Sequence, residues 1–199
     1  MDRITRLYVT GTAVGLLSAC AGTAAVGAAD APPASSAPAA ASPAPAANTA
    51  SLAPAGAPFD ATEFAKFDLP WAMTFLPDGR LLVTERPGRL RVIEPDPDGR
   101  LRQRTEPVAG VPQVLALGQA GLFDVVVDPA FAASGVVLLS MAHGEPAANH
   151  LRVVRARFDG RALQDVQPVF TSQPAKAEAQ HFGGRMAWLP DGTVLLGMG

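Results

Sequence analysis

From residue 59 to residue 199 the apolar positions fall into short runs broken by turn signals, with no sustained 3.6-residue period. Residues 71–76 and 80–85 form one apolar-turn-apolar unit around Pro77-Asp78-Gly79. Residues 122–127 and 136–141, separated by the loop 128–135, form a second, and residues 186–189 and 193–198, around Pro190-Asp191-Gly192, a third. Proline presets φ and glycine accepts positive φ, so each Pro-Asp-Gly turns the chain tightly and makes its flanking strands antiparallel. Further strand-like runs lie at 89–94, 151–158 and 166–171, with turns at Pro97-Asp98-Gly99 and Asp159-Gly160. About four short strands per unit, recurring at roughly fifty to sixty residues, predict an all-β chain built of β-propeller blades. An α/β fold is disfavoured. Trp71 and Trp188 fall in inner strands and are expected to pack between blades.

This pattern has topological consequences. The loop entering the inner strand of a blade and the loop leaving its second strand open on one face of a propeller. Gln119, in Gly118-Gln119-Ala120-Gly121, precedes the inner strand of the second unit, and His181 precedes that of the third. Both are expected at equivalent positions in neighbouring blades, pointing toward one channel mouth, a concave site for a small ligand. Gly199 ends the hairpin that His181 opens, and so returns to the same end. His143 and His150 flank a Gly- and Pro-containing loop without metal-ligand spacing, and solvent exposure is expected for them. Asp78, Asp98 and Asp191 read as turn aspartates bonded to local backbone.

The first 58 residues change the picture, because they lack any core pattern. Arg3 and Arg6 precede a short apolar stretch at 7–17, as in an export signal, and the stretch is too short to span a bilayer comfortably. Leu17-Ser18-Ala19-Cys20 resembles the lipobox of bacterial lipoproteins, which implies lipidation at Cys20 and an exported, periplasmic protein held to the membrane only by that anchor. Residues 21–58 are mostly Ala, Pro and Ser with Asp30 as the one charge, and are expected to form a disordered linker that extends about 3 Å per residue in the polyproline conformation. The expected organisation is a leader at 1–20, a linker at 21–58 and a folded domain at 59–199. The 48% hydrophobic content is inflated by alanine outside the core, and aromatics make up 6%. A net charge of −2 leaves no basic excess for nucleic acid, and the single cysteine excludes an internal disulfide.

Four motifs then carry a resemblance. Leu69-Pro70-Trp71 with the run from Phe75 to Arg86, the segment Gly118-Gln119-Ala120-Gly121-Leu122, the Asp128-Pro129-x-Phe131 that follows, and His181-Phe182-Gly183-Gly184-Arg185 are similar, in order and spacing, to the glucose/sorbosone dehydrogenase family. The resemblance runs from about Leu69 to Gly199. It implies a six-bladed propeller that uses pyrroloquinoline quinone (PQQ) and calcium to oxidise the anomeric carbon of an aldose to a lactone, passing electrons to an acceptor. It makes His181 the general base, a role suited to an imidazole, whose ordinary pKa lies near neutrality. Gln119 would orient the sugar or the cofactor edge, and Arg185 would either face the anionic cofactor or bridge loops.

The chain supplies roughly two and a half of the six blades that the resemblance implies. On this reading it is an N-terminal fragment, inactive alone, with its calcium ligands and most quinone ligands beyond residue 199. The family's Gly-Asp pair at the end of this hairpin further implies an aspartate directly after Gly199, as partner to His181. Two other readings remain open at this point. One is a binding or scaffold propeller without redox chemistry, which would tolerate loss of His181. The other is a propeller lactone hydrolase, which needs a metal-binding carboxylate constellation.

Overall fold

A computed structural model describes residues 7–10, 56, 58, 59, 61 and 63–199 of the chain. In order the strands are β1 (Leu7–Thr10), β2 (Pro70–Phe75), β3 (Leu81–Glu85), β4 (Arg89–Pro95), β5 (Leu101–Gln103), β6 (Leu122–Val127), β7 (Val136–Glu145), β8 (Ala148–Phe158), β9 (Leu163–Thr171), β10 (Gly183–Trp188) and β11 (Val194–Met198). One short helix, α1 (Phe131–Ser134), sits in the β6–β7 connection, where the sequence suggested only a loop. Strands β2 to β5 and β6 to β9 form two antiparallel four-stranded blades in chain order. The hairpin β10–β11 begins a third. The chain is all-β, built of propeller blades as expected.

The backbone of Leu7–Thr10 pairs parallel with β11, Leu7 opposite Val194 and Thr10 opposite Gly197. This strand is the described part of the stretch read as an export leader. Cys20 and most of the predicted linker lie outside the described residues.

The blades hold together through two apolar layers. Leu82, Leu90 and Val92 of the first blade pack against Leu122, Val125, Val137, Leu139 and Met141 of the second. On the other face of the second blade, Phe123, Leu138, Ala142 and Val153 pack against Phe182, Met186, Val194 and Leu196. Strand β7 is therefore buried on both faces, which is why it reads as one apolar run with no alternation. Strand β5 escaped the sequence reading for the opposite reason. Its residues, Leu-Arg-Gln, are exposed or half-buried, so no apolar period marks them.

A buried hydroxyl joins each blade to the next. Thr84 Oγ1 accepts the Ala72 N–H of its own inner strand at 3.0 Å and donates to the Phe123 carbonyl of the following blade at 2.5 Å. Ser140 repeats the device, accepting the Asp124 N–H at 3.0 Å and donating to the Gly184 carbonyl at 2.6 Å. Both side chains are fully buried. Thr84→Val keeps the shape and removes the hydroxyl, so it is expected to cost about 1–3 kcal/mol, the penalty for leaving buried partners unsatisfied. Urea unfolding of the variant against wild type measures this.

Candidate active site

Each inner strand carries one extra residue at the same place. Leu122 to Val125 spans three steps opposite two from Met141 to Leu139, and Gly183 to Met186 spans three opposite two from Met198 to Leu196. In the first blade Pro70 to Ala72 takes two steps opposite one from Glu85 to Thr84. A bulge of this kind bends the strand and re-aims its side chains. By register, Trp71, Phe123 and Gly184 occupy one ring of positions, and Ala72, Asp124 and Arg185 the next. Strand β6 packs against β2 on one side and β10 on the other, so the three bulges meet.

They frame a cavity of about 320 Å³ lined by Trp71, Arg86, Gln119, Phe123, His181, Phe182 and Gly183. Trp71 and Phe182 both pack on Phe123, at ring separations of 5.6 and 5.4 Å, giving the floor an aromatic character. The structure thus brings Gln119 and His181 together at one mouth, as the topology predicted. They are joined directly, the His181 backbone N–H donating to Gln119 Oε1 at 3.1 Å. A second bond, from the Gln119 N–H to the Ala179 carbonyl at 2.9 Å, locks the two loops side by side. Register aligns His181 with Ala120, not with Gln119, so the two side chains stand one position apart along their blades instead of at equivalent ones. His181 has φ 52°, a left-handed conformation that is uncommon and costly for a residue other than glycine. Its side chain is exposed at the mouth, and its ring makes no hydrogen bond with the described residues.

Glycine in the two signature loops has a steric cause. Gly121, at φ 152°, lets the Arg86 carbonyl approach so closely that an added Cβ would lie 2.3 Å from it, and that carbonyl accepts the Leu122 N–H at 2.9 Å. Gly184 occupies the bulge against the Phe123 ring, where a Cβ would meet ring carbon at 2.9 Å.

Arg185 is placed beside the cavity and does not line it. Its guanidinium lies 4.9 Å from the centre of the Trp71 ring and 3.4 Å from Asp124 Oδ1, so it spans three blades. Asp124 is buried, and its Oδ2 accepts the Met186 N–H at 2.7 Å. Burial raises its pKa, while the Met186 N–H and Arg185 pull it back toward the ordinary range. Sequence reading missed Asp124 because an aspartate inside an apolar run gives no sign of where its carboxylate goes. It also missed Arg86, whose Nη2 donates to the Gly118 carbonyl at 2.7 Å and whose buried Nε has no partner among the described residues. Lys176, which no pattern marked, donates to the His181 carbonyl at 3.0 Å.

His143 and His150 depart from expectation. They are cross-strand partners in β7 and β8 and both are half-buried, because the hairpin extends past the loop inferred from sequence. His150 Nδ1 lies 2.7 Å from the Ser172 carbonyl, and burial, aided by Arg152 and His150, lowers the His143 pKa. Neither reaches the cavity. Trp71 and Trp188 pack against the core between the second and third blades. Asp78 and Asp191 accept local backbone N–H groups in their turns, whereas at Pro97-Asp98-Gly99 it is Asp96 that accepts the Asp98 and Arg100 N–H groups.

Comparison with known proteins matches the Glucose / Sorbosone dehydrogenase family over residues 67–199. The aldose sugar dehydrogenase YliI of Escherichia coli is 36% identical over 138 residues, covering 67% of this chain and 36% of that protein. A crystal structure of a glucose dehydrogenase superposes with a TM-score of 0.60 at 40% identity, covering 66% of this chain and 38% of the other. The PQQ-bound form of an aldose sugar dehydrogenase from Streptomyces coelicolor gives 0.53 at 27% identity, covering 66% and 38%. The chain spans about a third of the length of the curated relatives it matches, 32% and 36%.

Proposed function

The chain belongs to the glucose/sorbosone dehydrogenase family, and from that premise we propose that it carries the base and part of the cofactor platform of a PQQ-dependent aldose dehydrogenase. The observation that carries this reading is the mouth itself, where an exposed histidine in a constrained conformation stands over an aromatic floor with a glutamine bonded to its backbone.

The residues present fit a planar, anionic, heteroaromatic group. Trp71 offers half-exposed apolar ring surface backed by the buried rings of Phe123 and Phe182, and Arg86 at the cavity wall brings a cation whose buried Nε lacks a partner among the described residues. When bound, the quinone supplies a hydride acceptor. His181 stands where its ring can take the proton of a sugar hydroxyl held at the mouth. Gln119 Oε1 is committed to the His181 backbone, which leaves its amide hydrogens to donate to a sugar oxygen or to the cofactor edge and so to orient the reacting carbon. Arg185 holds the Trp71 ring in place by tying it to Asp124. Among the described residues no group of three or more His, Cys, Asp or Glu is placed to hold a metal, so calcium enters only as the resemblance implies it, and no step is assigned to it.

The full protein is expected to reduce an electron-acceptor dye with aldoses only after reconstitution with PQQ. Equal turnover with and without the quinone refutes the reading, and no turnover in either case favours a binding propeller.

Export and lipid anchoring at Cys20 belong to the same proposal, supported by Leu17-Ser18-Ala19-Cys20 and the alanine- and proline-rich stretch after it. Processing there would remove Leu7–Thr10 from the edge of β11. In fractionated cells the wild type is expected in the membrane fraction and Cys20→Ser outside it. The same soluble distribution for both refutes the anchor.

A further inference from the structure

His181 is held at φ 52° by more than its own loop. On one side Gln119 takes its N–H. On the other, the Lys176 ammonium donates to the His181 carbonyl at 3.0 Å and also to the Gln180 carbonyl. The two ends of the Gln180–His181 peptide region are thus fixed by one cation. That cation is itself fixed. Its Nζ sits 3.9 Å from the centre of the Phe182 ring, a cation–π distance. Its backbone pairs in both directions with Asn149 at the start of β8, Lys176 N–H to the Asn149 carbonyl at 2.9 Å and Asn149 N–H to the Lys176 carbonyl at 2.8 Å. Asn149 is fully buried. The ammonium therefore belongs to a rigid point of the second blade, while the histidine opens the third. Partial burial lowers the lysine's pKa, as expected of a cation drawn out of solvent to serve these carbonyls.

We propose that Lys176 is a positioning residue for the base, its ammonium clamping the carbonyls of Gln180 and His181 so that the imidazole stays in its left-handed backbone setting over the cavity. This rests on the reading of His181 as the base. A lysine is suited to the task because its three N–H donors can serve two carbonyls and still face a ring. Backbone in the left-handed region costs a histidine free energy, so without the clamp the residue relaxes and its ring leaves the mouth. A ring misplaced by about 1 Å is enough to lower turnover by up to about 10²-fold without changing how the sugar is otherwise held.

The test uses the full protein with Lys176→Met, which keeps an unbranched side chain and removes the donors and the charge, and Lys176→Arg, which restores both. The ¹³Cα and ¹³C′ chemical shifts of His181 in the quinone-free protein report its backbone conformation directly. The expected result is that Met moves these shifts and Arg largely returns them. After loading with PQQ, Met is expected to lower kcat about 10- to 10²-fold with KM for the aldose changed by less than about twofold, and Arg to recover most of the loss. Unmoved shifts in Lys176→Met overturn the clamp whatever the enzyme does. Moved shifts with unchanged kcat also overturn the proposal, because the conformation then does not matter to turnover. If the loaded wild type oxidises no aldose, the reading of His181 as base fails, while the shifts still decide whether the clamp exists.

Discussion

His181→Ala is expected to lower kcat of the reconstituted full protein by about 10²–10⁴-fold, the range typical of losing a positioned general base. The side chain is exposed and its ring holds no other residue in place, so the variant is expected to fold and to unfold as the wild type does. The bonds that build its loop come from backbone atoms, the N–H to Gln119 and the carbonyl to Lys176, and alanine retains both. Quinone binding, followed by quenching of tryptophan fluorescence, is therefore expected to survive with modest change, since Trp71 and the phenylalanines remain. Steady-state dye reduction measures the loss. Undiminished turnover would remove His181 from the chemistry.

The largest expected effect on stability comes from a residue with no side chain. Gly121→Ala places a Cβ 2.3 Å from the Arg86 carbonyl oxygen, backbone against backbone, at a φ of 152° that L-residues avoid. Neither partner can rotate away, because the Arg86 carbonyl accepts the Leu122 N–H and the Arg86 N–H is itself bonded to Leu69. The first two blades must separate locally, and the strain and overpacking together are expected to cost roughly 3 kcal/mol or more. Gly79→Ala is the internal control. Its φ of 86° carries the conformational penalty, but nothing lies within 4 Å of the added carbon, so the expected cost is only about 1–2 kcal/mol. Urea unfolding of the two variants separates the steric part from the conformational part. Equal destabilisation would mean that the contact with Arg86 is not what requires glycine at 121.

Much of this arrangement was legible in the chain. The Pro-Asp-Gly turns at 77–79 and 190–192 sit where the hairpins β2–β3 and β10–β11 reverse, because short-range turn chemistry fixes them without help from the rest of the fold. Gln119 and His181 could be placed at one mouth from topology alone, since both precede inner strands. What the sequence could not show was the bulge. One extra residue in each inner strand leaves no trace in an apolar run, yet it sets Trp71, Asp124 and Arg185 within reach of one another. The same limit hid Lys176. Its importance comes from pairing with Asn149 and from reaching two carbonyls four and five residues on, and neither contact has a sequence period. The extension of β7 and β8 beyond their apolar parts, which leaves His143 and His150 half-buried, was hidden by the polar and small residues at that hairpin end.

The mouth framed by the three inner strands is proposed as the place where cofactor and sugar meet the base. A crystal structure of the full protein with PQQ and an aldose tests it most directly. The quinone is expected at Trp71, over the buried rings of Phe123 and Phe182, with a ring nitrogen of His181 about 2.6–3.2 Å from the sugar's anomeric hydroxyl. Quinone or sugar bound away from this mouth, with His181 turned to solvent, would contradict it.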